Sequence, residues 1–168
     1  MPGPIGAFVA YWNSLPKTGH LPQLSDFFDS MPPDLAPYMA VCDIYGPDKT
    51  KIRFFGTQLV ESAAFDPTGM SVADLYDETL RPQVHGMLWA CSQRPVGYLS
   101  RRKIIGRSGF VNVHPSVGLP IEIPTSGVRA VVNFSRASGG RSHVAEDRAY
   151  LVQEMKLERW IDLGAGAP

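Results

Sequence analysis

Apolar residues Ile5, Phe8, Val9, Trp12 and Leu15 recur at spacings of three and four, the signature of an amphipathic helix. Residues 19–38 (GHLPQLSDFFDSMPPDLAPY) are stiffened by proline and are expected to run as a mostly extended connection. YMAVCDIY (38–45) and KIRFF (51–55) have strand patterns, and the GPDK between them places Pro47 at the second position of a turn, so the pair predicts a hairpin. Punctuation then becomes dense. Gly56 ends the strand, Thr57 offers an N-cap for a short helix to about Ala64, and Asp66-Pro67-Thr68-Gly69 has the chemistry of a type I turn. SVAD (71–74) has the spacing of a capping box. Thr79 is placed to cap a longer helix through about Gln93, with Pro82 in its first turn and Pro95 barring its continuation.

Beyond residue 95 the period changes from helix to strand. VGYLSRRKII (96–105), GFVNVHP (109–115) and GVRAVVNFS (127–135) are β-rich, and LPIEIP (119–124) either extends the second or leads into the third. In the tail, Leu151, Val152 and Met155 share one side of a helical wheel, which predicts a helix ended by Gly164. Two strands before a helical insert and three after it describe an α+β domain: a five-stranded antiparallel sheet with helices on one face. By alternation Ile52 and Phe54 form one inward set and Val128, Ala130, Val132 and Phe134 another.

Composition narrows the class. The chain has 168 residues, 44% apolar and 19% charged, which fits one globular domain. Sixteen basic residues balance sixteen acidic ones, so neither nucleic acid nor a membrane surface is expected as a partner. Cys42 and Cys91 are far apart and fit no zinc or CxxC spacing; as reduced thiols they fit a cytoplasmic protein. The N-terminus lacks the charge and apolar run of a signal peptide, and no window approaches the roughly 18 apolar residues of a membrane helix.

Tyr11-Trp12, Pro22, Ser25-Asp26, Arg53, Gly56-Thr57 and the Asp66–Gly69 turn together resemble a family of small, mostly stand-alone bacterial PAS domains. The likeness covers residues 11 to about 76, is loose over 77–135 and is absent beyond. It implies a sensory or regulatory module: an N-terminal helix and connection (1–37), a PAS core (38–135) and a tail helix (136–168). The brief helical pieces of this fold roof a hollow on the sheet.

The resemblance directs attention to particular side chains. Leu80, Val84, Met87, Leu88 and Cys91 share one face of the longer helix; a plain core stripe is the simpler account. The candidate ligand wall is Phe54, Val84, Met87, Leu88, Cys91, Val132 and Phe134, around a small, largely apolar molecule. Some PAS domains hold haem through a histidine on this helix, but His85 lies about 120° from its apolar face. Others bind flavin beside an Asn-Cys-Arg motif, which Cys42-Asp43 and Cys91-Ser92 lack. Haem and flavin are therefore disfavoured. His114 and His143 are lone histidines near turns, expected at the surface. Arg101, Arg102, Lys103 and Arg107 divide between strand faces, and an inward Arg102 would pair with a ligand carboxylate or with Asp43. Phe8 and Trp12 are candidate contacts for a homodimer, the alternative being an intramolecular lid. No nucleophile–base pair, phosphate loop or metal spacing stands out, and Ser108 lacks the nucleophile-elbow pattern. A non-catalytic sensory or regulatory module that binds a small molecule, a signalling protein such as a kinase, or both is the leading reading. The alternatives are a ligand-free adaptor and a small α+β enzyme with a cone-shaped pocket.

Overall fold

The computed structural model describes residues 1, 3–105, 111–124, 128–136, 152–164 and 166. Helix α1 (Gly3–Ser14) leads into a short ladder, β1 (Lys17–Thr18) and β2 (Leu21–Pro22). The connection that follows is not extended throughout. It holds helix α2 (Leu24–Asp29) and a 3-10 turn at Ala36–Tyr38, because Leu24 and Phe27 bury together and the prolines flank the helix instead of interrupting it. Strands β3 (Met39–Gly46) and β4 (Lys49–Phe55) form the expected hairpin. The insert comprises α3 (Thr57–Ala63), 3-10 turns at Val72–Leu75 and Glu78–Leu80, and α4 (Arg81–Gln93). Strands β5 (Val96–Ile105), β6 (Val111–Glu122), β7 (Arg129–Ser135) and β8 (Val152–Asp162) follow.

The main sheet has six strands, not five, in the antiparallel order β4-β3-β7-β6-β5-β8. The sixth, β8, stands where the sequence pattern favours a tail helix; residues 137–151, including His143, lie outside the described residues, as do Arg107 and Ser108. The misreading has a geometric cause. Ile104 pairs with Val152 but Lys103 with Glu154, and Ser100 pairs with Leu157 but Leu99 with Arg159. Each irregularity inserts one extra residue, so the core-facing positions Val152, Met155, Leu157 and Trp160 are spaced three, two and three apart. Two bulges thus give a strand the apolar spacing of a helix.

A third bulge sets the faces of the hairpin. Val41 pairs with Phe54 and Cys42 with Ile52, leaving Arg53 as the extra residue. Ile52 consequently packs in the core beneath α4, whereas Phe54 packs on the opposite face with α1 and α2. Strand β7 follows suit: Val131 joins the α4 core, and Ala130, Val132 and Phe134 join the α1 core. Of the positions inferred as inward by simple alternation, Phe54, Ala130, Val132 and Phe134 therefore lie on the outer face and Ile52 on the inner one.

Helices cover both faces of the sheet. Phe8 and Trp12 are 0% and 1% exposed, Phe8 stacks on Phe134 with ring centroids 5.3 Å apart, and Trp12 Nε1 donates to the Pro120 carbonyl at 3.0 Å. These two side chains have no surface left for a second copy, so the proposed dimer contacts are corrected to the intramolecular lid. The chain enters the insert under tight constraint: a Cβ on Gly56 would lie 2.5 Å from the carbonyl oxygens of Ala36 and Pro37. Asp66 Oδ1 accepts from the Thr68 amide at 3.0 Å, and the turn is tied to β4 by Gly69 N–H donating to Ile52 O and Ile52 N–H to Met70 O. Asp77, not Thr79, caps the approach to α4, accepting from the Thr79 amide at 3.0 Å. Among the described residues no helix is long and apolar enough to cross a membrane.

If α1 is an integral layer, Trp12→Ala should cost about 3–5 kcal/mol in urea unfolding. Tyr45→Ala, at a 48% exposed position, should stay within about 0.5 kcal/mol.

Candidate functional site

The inner face of the sheet is roofed by the 3-10 turn Val72–Leu75 and by α4, with turns and a second 3-10 turn between them. Between roof and sheet lie two adjoining chambers of about 30 Å³ each, room for about two water molecules apiece. Ala40, Phe55, Leu75, Tyr76, Arg102 and Asn133 line both. Ile52, Val72, Val84, Met87 and Leu88 make the first chamber's apolar wall; Leu59, Ser135 and Val152 complete the second.

Of the seven candidate ligand residues, Val84, Met87 and Leu88 line the first chamber. Cys91 is fully buried in the same core but does not reach either chamber lining. Phe54, Val132 and Phe134 belong to the outer core and are removed from the site by the strand phase described above. His85 is not among the lining residues.

The polar part of the wall is what sequence reasoning missed. Tyr98 Oη donates to Asn133 Oδ1, and Asn133 Nδ2 lies 3.8 Å from Cys42 Sγ and 3.5 Å from the Val131 carbonyl. A polar residue between Val132 and Phe134 on a central strand was the available signal. Arg102 does turn inward, but not to Asp43, which projects to the other face and accepts from Arg53 Nε at 2.8 Å. Instead Arg102 Nη2 donates to Ser116 Oγ at 2.7 Å, and its guanidinium carbon sits 5.9 Å from the centre of the Tyr76 ring, within cation–π range.

His114 is directly across from Arg102 on β6 and is only 4% exposed, contrary to the surface position expected of it. The reason is that β6 continues through Pro115 and Pro120, so His114 lies within a strand, not at a turn. Burial, assisted by the charge of Arg102, lowers its pKa to about 4, so it is neutral at neutral pH. Burial pushes the Cys42 thiol up to about 12 against the pull of Arg102, and raises Cys91 as well, so both remain unreactive thiols. Tyr76 and Tyr98 are raised for the same reason and again opposed by Arg102. One guanidinium is thus felt by four titratable neighbours.

No protein-family model and no curated protein sequence matches the chain. Among solved structures, a fungal LOV-domain photoreceptor aligns over 81% of this chain and 92% of its own, at 14% identity and a TM-score of 0.50. The PAS domain of Bordetella pertussis BvgS aligns over 72% of this chain and 93% of its own, at 10% identity and a TM-score of 0.49. Vibrio cholerae VqmA, whose dimer was studied in the absence of target DNA for the DNA-binding mechanisms of LuxR-type receptors, aligns over 70% at 10% identity and a TM-score of 0.49. This chain spans 52% of that VqmA chain. The fold is PAS-like.

VqmA also corrects the expectation that nucleic acid is no partner. A structural neighbour is a DNA-binding receptor, and about half of its length lies outside the match. A balanced net charge over this stretch of chain does not by itself exclude a nucleic-acid partner.

His114 makes stability depend on pH with a definite sign. Its folded pKa, about 4, lies below the ordinary value of 6.5, so between those values the unfolded chain takes up a proton that the folded chain refuses. Stability should fall by about 3 kcal/mol as pH drops from 6.5 to 4. In denaturant titrations across that range His114→Asn should flatten the slope relative to the parent protein.

Proposed function

We propose that this chain is a non-catalytic PAS-type regulatory module of bacterial signal transduction, working in the cytoplasm as a single domain. It binds a small molecule in the twin chambers and passes occupancy to a protein partner. The observation that supports the reading is the hollow itself, set between an antiparallel sheet and short roofing elements, with one polar wall and one apolar wall. Two buried, unpaired cysteines fit a reducing compartment.

The route outward runs through β8. Val152 lines the second chamber, forms a bridge to Tyr76, and accepts from the Asp77 amide at 3.0 Å. A ligand that shifts Tyr76 therefore acts on the first residue of the last strand, and a shift in population between two settings of β8 is the signal.

A second reading, a ligand-free adaptor, is favoured by the small volume of the chambers. Native mass spectrometry separates the two. Freshly purified protein should carry a bound small molecule, and Ala40→Leu, which fills the wall shared by both chambers, should lose it while still folding at a cost of about 1–3 kcal/mol. A ligand-free spectrum, with no small molecule in a broad panel raising Tm, would replace the sensor by the adaptor.

A further inference from the structure

The chambers' polar wall has a chemical bias that defines a class of ligand; this inference rests on the cavity reading above and deepens it. Tyr98 Oη donates to Asn133 Oδ1, which occupies the acceptor end of that amide and leaves its N–H groups with only long contacts, 3.8 Å to sulfur and 3.5 Å to a carbonyl. Arg102 is a donor-only group, and its bond to Ser116 Oγ at 2.7 Å fixes where the guanidinium sits. Arg102 and Asn133 both line both chambers. Beside Arg102, Ser100 Oγ on the same strand and His114 Nε2 on the neighbouring β6 are buried without a hydrogen-bond partner among the described residues. Buried polar atoms of this kind normally have partners, and here two of them flank the guanidinium.

The wall therefore presents N–H donors, one of them on a cation, to a space whose other side is Ile52, Met87 and Leu88. The complementary ligand accepts hydrogen bonds only, carries one negative charge, and has a short apolar body. A carboxylate fits both parts: its two oxygens match the planar fork of a guanidinium, and a buried carboxylate requires such a cation. Size sets the rest. Two chambers with room for about two waters each admit a ligand of about four to six non-hydrogen atoms. We infer that the twin chambers bind a short-chain aliphatic monocarboxylate, with its oxygens on Arg102 and Asn133 and its hydrocarbon against Ile52, Met87 and Leu88.

The test compares sodium propionate with propionamide and 1-propanol, neutral molecules of matched size, at constant ionic strength. The readouts are thermal shift and the side-chain amide resonances of Asn133 in a ¹⁵N-labelled sample. Propionate should raise Tm and move the Asn133 signals in a saturable way, and the neutral molecules should bind at least tenfold more weakly. Arg102→Met should weaken propionate binding at least tenfold, whereas Arg102→Lys should keep part of it. If Arg102→Met does not fold, the comparison of charged and neutral molecules on the parent protein decides alone. Equal binding of all three would overturn the carboxylate assignment and leave the cavity reading standing. No binding by any of them, with the Asn133 signals unmoved, would overturn the assignment and remove support from the cavity as well.

Discussion

Both faces of the sheet have to be kept from water, and most of the architecture follows from that. Val41, Val132, Leu119 and Phe134 on one side and Cys42, Ile52, Val131 and Ile104 on the other are buried, so a single covering layer would leave one set wet. The outer layer, α1 and α2, is built from aromatic side chains: Phe8 meets Phe27 edge-on at 6.2 Å and stacks on Phe134. The inner layer is built from α4 and a run of shorter pieces joined by turns. The brevity of those shorter pieces leaves hollows that one continuous helix would fill. The two layers thus divide the work, one packing densely and the other leaving room.

Much of this was legible in the residues. The helix of Ile5, Phe8 and Trp12, the hairpin, the Asp66–Gly69 turn, the cap at Ser71 and the strand at 96–105 all follow from local chemistry, because each is decided by residues adjacent in the chain. The errors in facing and in the tail element share an origin in phase. Periodicity assumes that side chains alternate without interruption, and the extra residue Arg53 in β4 breaks that assumption. The same event, twice repeated in β8, turned a strand into an apparent helix. Bulges are set by pairing with a partner strand, and pairing is not written in any single segment.

The polar wall was hidden for a related reason. Ser100, Arg102, His114, Ser116, Asn133 and Ser135 come from three consecutive strands, and only the register of β5, β6 and β7 gathers them on one face. Taken singly, each is an ordinary polar residue in a β-rich stretch. Together they place hydrogen-bonding groups in the middle of an otherwise apolar face, an arrangement that costs stability unless most of the groups find partners. A folded chain tolerates such a cluster most readily where it serves recognition, and this one adjoins the hollow.

The direction of β8 carries a mechanical consequence. Its ladder with β5 begins at Val152 opposite Ile104 and ends at Asp162 opposite Val96. Tension applied from the chain beyond residue 164 would break those bonds one rung at a time, starting from the Val96 end. The rung at Val152, which borders the second chamber, would open last, so a tug would have to strip the whole strand before it disturbed that chamber's wall.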